Sequence, residues 1–187
     1  MKLYFESSDS SAAGSGQIDL EKLRGLRFVG MDNGPVPVFH VRSTDGRSFD
    51  SDALVGDRAF LVVFFASWCP VCEKKLPFVK KALDKLGPLT VILVSADEPE
   101  TFHQVLGYLR RHGLSHLPVV RATKYPAFAL SYDPFSLVPL VVVVGRNGGL
   151  VDFQMGITAD DSGRLVKAVQ LARTIGPLRP VRDGGAD

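Results

Sequence analysis

The 187-residue chain is poor in cysteine and tryptophan, with two cysteines and one tryptophan. Two cysteines do not by themselves indicate a redox compartment, and a chain of this length can bury a sizeable core without disulfide staples. No apolar run approaches the ~20 residues of a membrane-spanning helix, and the first residues lack the hydrophobic segment of a secretory signal. Carboxylate pairs suited to hydrolysis, glycine-rich phosphate loops and Ser-His constellations are also missing. The net charge of +2 does not indicate nucleic acid as a partner.

What is present is ordinary for a globular protein, with 45% hydrophobic and 22% charged residues,. We expect one domain over residues 17–176, preceded by a flexible lead or linker at 1–16 and followed by a tail at 177–187. The lead is polar and rich in serine. Two options stay open at this point: a cytosolic protein, or a form that lacks its native signal or membrane anchor, with the lead as a linker or vector-derived segment.

The central motif is an apolar run over 60–65 that leads into Trp-Cys-Pro-Val-Cys at 68–72. The run is typical of a buried strand, and the residues after the second cysteine are helical in pattern. If Cys69 is the N-cap, Pro70 occupies the first helical position, where its missing N–H costs nothing. Backbone N–H groups and the helix dipole then favour a thiolate at Cys69. Cys72, one turn later, faces the interior.

Two other interpretations of the cysteines remain open. Free cysteines are often simply buried in a core. The pair could also be half of a zinc site with His112 and His116, although 39 residues separate Cys72 from His112, against about 12–15 in a zinc finger. By default we expect all four histidines on the surface; the remaining two are His40 and His103.

Apolar periodicity and turn residues predict the other elements. A helix is expected from Pro70 to Leu86 with a bend at Pro77, and another over 99–112 with four apolar residues inward, namely Phe102, Val105, Leu106 and Leu109. The remaining expectations are a hairpin over 35–50, strands over 89–95, 117–120, 138–144 and 150–155, a short helical or irregular segment over 124–132, and a last helix over 160–175.

From about residue 35 to residue 175 the chain resembles the TlpA/ResA group of thioredoxin-fold thiol–disulfide oxidoreductases. The resemblance rests on the Trp-Cys-Pro-Val-Cys motif after an apolar strand and on the order of the elements that follow. It implies an α/β fold with a central mixed sheet, an N-terminal β-hairpin and a βα insertion near 89–113. It also implies that Cys69 is the nucleophile and that Cys72 resolves the mixed disulfide.

The same resemblance implies a substrate-binding surface around the cysteines. Val138–Pro139 would be a cis peptide beside them, and the backbone of Val138 would pair with an extended substrate. Trp68 and Pro70 would complete this surface, although Trp68 is also a candidate core anchor.

Two positions depart from the pattern of related proteins. Thioredoxins carry a buried aspartate where this chain has Val63, and TlpA-like proteins often carry a glutamate where it has Lys75. Asp97 and Glu73 are the candidate replacements for shuttling the Cys72 proton. Lys75 is expected on the solvated helix face with Lys74, Lys80 and Lys81. Three residues after Cys72, a glutamate in its place could take the proton of the resolving thiol, so we expect Lys75→Glu to accelerate resolution.

The function implied by the resemblance is exchange of a Cys69–Cys72 dithiol with disulfides of protein substrates, as a periplasmic reductant without metal or organic cofactor. A membrane thiol transporter would supply the electrons. Alternatives are a dedicated maturation factor for one periplasmic enzyme, similar to MauD of methylamine dehydrogenase, and a chaperone module binding a soft metal such as Cu(I). A cytoplasmic location is the alternative to the periplasm.

Overall fold

The computed structural model describes Val29 and residues 35–175. The predicted lead at 1–16 and tail at 177–187 therefore lie outside the described residues. Seven strands are described: β1 His40–Arg42, β2 Ser48–Asp50, β3 Phe60–Phe65, β4 Thr90–Ser95, β5 Val119–Arg121, β6 Leu140–Val144 and β7 Leu150–Met155. The α-helices among the same residues are α1 Ser51–Leu54, α2 Pro70–Leu86, α3 Val105–Arg111, α4 Pro126–Tyr132 and α5 Asp161–Thr174. None of these described helices is long and apolar enough to cross a bilayer.

Five strands form one mixed sheet in the order β5-β4-β3-β6-β7. β3 runs parallel to β4 and antiparallel to β6, and β4 runs parallel to β5. The short strands β1 and β2 form a separate antiparallel hairpin. This arrangement confirms the predicted α/β class with its central mixed sheet and N-terminal hairpin.

Alternation along β3 creates two cores because successive side chains of a strand point to opposite faces. Leu61, Val63 and Phe65 join the core that contains both cysteines and the inward faces of α2 and α5. Phe60, Val62 and Phe64 join the other core, which contains the hairpin and α4. Since both faces of β3 are covered, all six residues are apolar and buried,.

Local signals set the ends of α2. Its N-cap is Cys69, Pro70 lies at the first helical position, and Gly87 follows the last turn with φ +65°. Glycine tolerates this left-handed conformation without steric penalty. The predicted bounds are confirmed, and the helix continues through Pro77.

The predicted helix over 99–112 is wrong in two respects. The segment forms a 3₁₀ turn at Phe102–Gln104 followed by α3. Tyr108 is buried and Leu106 is largely exposed. Val105, Tyr108 and Leu109 have the i, i+3, i+4 spacing of one helix face, which leaves Leu106 about 100° away from it.

Candidate active site

The two cysteines lie where β3 passes into α2. The Cys69 Sγ accepts a hydrogen bond from the Cys72 N–H at 3.2 Å, and the Cys69 N–H donates to the Ala66 carbonyl at 3.2 Å. The sulfur thus caps one of the free N–H groups of the first helical turn. This geometry confirms that Cys69 is the N-cap.

The two sulfurs lie in different environments. Cys69 lies beyond the end of the central strand β3 and is 5% exposed, whereas Cys72 is completely buried. Burial raises the pKa of the Cys72 thiol far above its usual range, and the hydrogen bond with Cys69 and the negative charge of Asp97 raise it further,. Cys72 therefore stays a thiol at neutral pH.

A cis peptide between Val138 and Pro139 faces the cysteines. The Cys69 Sγ donates to the Val138 carbonyl at 3.5 Å, and the Pro139 carbonyl accepts from the Gly156 N–H at 2.9 Å. The predicted cis bond is confirmed, and its loop lies against the candidate nucleophile.

Exposed apolar side chains come from three segments at the end of the sheet where β3 passes into α2. The segments are residues 68–71, around Cys69, residues 135–137, before the cis peptide, and residues 155–157, at the end of β7. Trp68 is 62% exposed, so it is not a core anchor, and Pro70 is also exposed. The other exposed members are Val71, Phe135, Leu137, Met155 and Ile157. We call these side chains, with Trp68, the apolar rim.

Asp133 supports the part of the apolar rim that precedes Pro139. Its carboxylate accepts from the Leu137 N–H at 2.8 Å. Burial raises the pKa of Asp133 to about 6, against the lowering effect of the Leu137 and Phe135 N–H groups. Since this value lies above the ordinary one, the contribution of Asp133 to the free energy of unfolding is present below about pH 4 and is lost as pH rises through about 6,.

Asp97 lies beyond the end of β4, next to the loop that carries Cys69. In the parallel register Phe65 is opposite Ser95, so Ser67 and Asp97 occur two residues further along each chain. The buried Asp97 carboxylate accepts from the Ser67 N–H at 3.0 Å, from the Ser67 hydroxyl, and from the Ser95 hydroxyl at 2.8 Å. Asp97 thereby joins the two strand ends.

Lys75 is not on the solvated face of α2. It is 1% exposed, its Nζ is 3.1 Å from the Asp161 Oδ2, and it donates to the Gln154 Oε1 at 3.4 Å. One turn after Cys72, its side chain thus extends toward α5 and β7. The predicted position of Lys75 on the solvated face is therefore wrong, and the effect of Lys75→Glu on resolution stays a prediction.

Glu73 and His112 form a contact that links α2 to the end of α3. The His112 Nε2 is 3.2 Å from the Glu73 Oε2, and the imidazole meets the Tyr108 ring edge-on at 4.8 Å. The His112 side chain is 7% exposed, so its expected surface position is wrong. His40, His103 and His116 are exposed, as expected.

A proton-shuttling role for Glu73 or Asp97 stays a prediction.

Among the described residues, the cysteines do not form a group of three with a histidine or carboxylate that could hold a metal ion. The one group of potential ligands found there comprises His40, Asp50 and Asp52, on the hairpin and the start of α1. The zinc arrangement of the cysteines with His112 and His116 is therefore not formed in this structure.

Comparison with known proteins agrees with this geometry. The family model described as Redoxin matches residues 31–164, more than half of the chain. The chain belongs to the Redoxin family. A crystal structure described as a thiol:disulfide interchange protein, thioredoxin family protein, from Chlorobium tepidum TLS superposes with TM-score 0.59 at 27% identity, over 74% of this chain and 97% of that one. The architecture is therefore the thioredoxin fold.

Curated relatives include two proteins named thiol-disulfide oxidoreductase ResA. The one from Bacillus thuringiensis (strain Al Hakam) is 30% identical over 78 residues, 42% of this chain and 44% of the relative. The one from Halalkalibacterium halodurans is 28% identical over 120 residues, 63% of this chain and 65% of the relative. The chain thus spans less than two thirds of the length of either relative.

Two site features of this Redoxin-family chain were not predicted from its sequence. The partners of Asp97 follow from the register of two parallel strands, which the apolar runs do not specify. The ion pair of Lys75 joins residues 86 positions apart, and nothing local to either residue indicates it.

The buried Lys75–Asp161 pair leads to a prediction about stability. Lys75→Met leaves Asp161 without its cation in a buried position, and we expect a loss of about 3–5 kcal/mol in the free energy of unfolding. Lys75→Glu places two carboxylates together and costs at least as much. Denaturant unfolding followed by circular dichroism measures both.

The double variant Lys75→Met/Asp161→Asn is the matched control. Since it removes both charges, it recovers much of the stability that the single variant loses. A double variant no more stable than Lys75→Met would contradict the role assigned to the ion pair.

The second prediction concerns the charge of Asp97. Asp97→Asn keeps an oxygen that can accept from Ser67 but removes the negative charge, so the Cys72 thiol should titrate at lower pH. The measurement is the pH dependence of the Cys72 Cβ chemical shift in a Cys69→Ala background, which does not require a reagent to reach the buried sulfur. Asp84→Asn, an exposed change on α2, is the control and should leave the titration unchanged. A titration unaffected by Asp97→Asn would contradict the assignment.

Proposed function

We propose that this chain is a thiol–disulfide oxidoreductase that exchanges a Cys69–Cys72 dithiol with the disulfides of protein substrates. The observation that carries the proposal is the Cys69 sulfur at a helix N-terminus, 3.2 Å from the Cys72 N–H, beside the cis peptide of Val138–Pro139. Membership of the Redoxin family and the printed names of the ResA relatives support it.

The first step is nucleophilic attack by Cys69. The capping N–H group of Cys72 and the positive end of the helix dipole lie at its sulfur,. As a thiolate, this sulfur attacks one sulfur of the substrate disulfide, the Cys69–substrate bond forms, and the other substrate sulfur leaves as a thiolate that takes up a proton.

The second step is resolution by Cys72. After losing its proton, Cys72 attacks the Cys69 sulfur, the Cys69–Cys72 disulfide forms, and the second substrate sulfur leaves. Two electrons have then passed from the chain to the substrate. Because burial keeps Cys72 protonated, the order of attack is set by the environments of the two cysteines.

The substrate contacts the apolar rim in this proposal. An extended segment with apolar side chains, running past Cys69, would lie between Trp68 and the loop that contains Phe135 and Leu137. Val138 lies at the base of this region with its carbonyl 3.5 Å from the Cys69 sulfur, which supports a pairing of its backbone with such a segment. Pro70 flanks the sulfur on the helix side.

The physiological setting follows the resemblance to the TlpA/ResA group. We propose a periplasmic reductant whose oxidised form is re-reduced by a membrane thiol transporter. A maturation factor dedicated to one periplasmic enzyme uses the same chemistry with a narrower set of substrates.

The direction of exchange has a direct test. For a reductant, equilibration of the Cys69–Cys72 pair against glutathione should give a potential nearer the −270 mV of thioredoxin than the −120 mV of a strong oxidant. A potential near the oxidising value would contradict the reducing role while leaving the exchange chemistry intact.

The mechanism itself is tested by trapping. In Cys72→Ser the mixed disulfide at Cys69 has no intramolecular exit, so the variant should accumulate covalent adducts with partner proteins that dithiothreitol releases. Non-reducing electrophoresis followed by mass spectrometry identifies them.

Cys69→Ser is the matched control and should trap nothing, because Cys72 is buried. If neither variant forms adducts, the exchange mechanism is wrong, and a soft-metal module becomes the hypothesis to examine by metal analysis.

A further inference from the structure

A cavity of about 370 Å³ lies beside β5, between the β1–β2 hairpin and the 3₁₀ turn that precedes α3. We call it the basic cavity, since three of its lining side chains are cations and none of the described residues that line it is a carboxylate. Two hydroxyl side chains and one aromatic ring complete its wall. The lining residues are Arg42, Ser43, Thr44, Phe102, Arg121 and Lys124.

The three cations of the basic cavity are not neutralised within the part of the chain that the structure describes. Arg42, Arg121 and Lys124 make no ion pair with any carboxylate there. Asp45, in the adjoining hairpin turn, pairs with Arg47 instead. A cleft lined by charge of one sign focuses the electric field and concentrates counter-ions. The basic cavity therefore attracts anionic groups.

Packing fixes the position of the Arg121 guanidinium in this cavity. Its central carbon lies 4.0 Å from the centroid of the Phe102 ring, a cation–π contact,. The Arg121 Nε is buried and has no hydrogen-bond partner among the described residues, which is unfavourable for a buried donor. A carboxylate accepts two parallel hydrogen bonds from a guanidinium, so it is the kind of anion that suits these donors.

The register of the sheet locates the basic cavity relative to Cys69. Phe65, Ser95 and Arg121 stand opposite one another as the last residues of β3, β4 and β5. These strands are parallel, so all three end where the chain continues from β3 to Cys69. Two strand spacings, about 10 Å, separate β5 from β3. A standard protein interface covers about 800 Å² on each partner, a patch about 30 Å across, so a protein that reaches Cys69 is wide enough to reach the basic cavity.

We propose that the basic cavity binds acidic side chains of the substrate protein while the substrate disulfide reacts at Cys69. The inference rests on the proposed dithiol exchange and names its class of substrate, a protein with carboxylates about 10 Å or more from the reacting disulfide. The cations steer the encounter and orient the bound substrate. The bonds that form and break at Cys69 are those described above.

The substrate then contacts different surfaces on the two sides of β3. The apolar rim includes the segments that adjoin β6 and β7, whereas the basic cavity lies beside β5, at the opposite edge of the sheet. Apolar contacts do not distinguish the sign of a charge, and a cavity of uncompensated cations disfavours a cationic region in the same place. Selection among disulfide-bearing proteins therefore comes from the β5 side.

The experiment compares two synthetic peptides, each with one cysteine blocked as its thiopyridyl mixed disulfide. One carries glutamate four and five positions on both sides of the cysteine, because four extended residues span about 13 Å; the other carries glutamine there. Cys69 attacks the peptide sulfur, the Cys69–peptide bond forms, and thiopyridine leaves. At low ionic strength the reduced chain should release thiopyridine about 10-fold faster from the glutamate peptide, and added salt should reduce the difference.

Arg121→Gln and Lys124→Gln should each lose most of this preference and keep the parental rate with the glutamine peptide. Lys124 is exposed, so its replacement does not disturb packing. Lys85→Gln is the matched control, since it removes the same charge from an exposed position in the last turn of α2, about 25 Å along the helix from Cys69. It should keep the preference.

The outcomes separate this inference from the proposed function. Equal rates for the two peptides overturn the inference alone, because release of thiopyridine from both still shows exchange at Cys69. A preference that Lys85→Gln reduces as much as Arg121→Gln does also overturns it, since net charge is then the cause. If the parent chain releases thiopyridine no faster than Cys69→Ser, the proposed exchange is wrong, and this inference with it.

Calorimetric titration with inorganic phosphate tests the other occupant of a basic cavity, a free anion. Saturable binding to the parent chain that Arg121→Gln abolishes, together with equal peptide rates, would assign the cavity to a small anion and overturn the docking of a substrate protein. We expect the glutamate preference instead, without saturable phosphate binding at millimolar concentration.

Discussion

One hydrogen bond, from the Cys72 N–H to the Cys69 sulfur, is the constraint on which the rest of the site depends. It requires Cys69 to leave the helix as its N-cap and Cys72 to enter it, so the two sulfurs cannot share one environment. Pro70 stabilises this arrangement, because its fixed φ suits the first helical position and its missing N–H would have been unpaired there. Two residues, Pro70 and Val71, thus separate a nucleophile that is 5% exposed from a thiol that is completely buried.

The end of the sheet holds the loop that carries Cys69 in place. β3 ends at Phe65 with both faces covered, and its parallel neighbour β4 ends opposite, so the chain must turn at the same edge in both places. Asp97 satisfies the N–H group and hydroxyl of Ser67 at that turn. The carboxylate holds the loop to Cys69 in place and also adds negative charge near Cys72. Positioning and electrostatics therefore come from the same side chain.

Features that depend on residues within one helical turn were predictable from the sequence, whereas features that depend on residues distant in the chain were not. The bounds of α2 were predictable because a proline at its start and a glycine after its end both act within one turn. The inward position of Tyr108 was not, since Leu106 is equally apolar in pattern and packing against Phe65 decides between them. The burial of Lys75 depended on Asp161, which is distant in sequence, and the five lysines of α2 resemble an ordinary solvated face.

The absence of an acid at Val63 and Lys75 has a physical explanation in the packing. Val63 lies between Leu93 and Val141 in the register of the sheet, where a carboxylate would be buried among apolar side chains at high cost in free energy. The Lys75 ammonium is already neutralised by Asp161. The carboxylates left as candidates for taking the Cys72 proton are consequently Asp97, whose negative charge raises the pKa of Cys72, and Glu73, which follows Cys72 on α2.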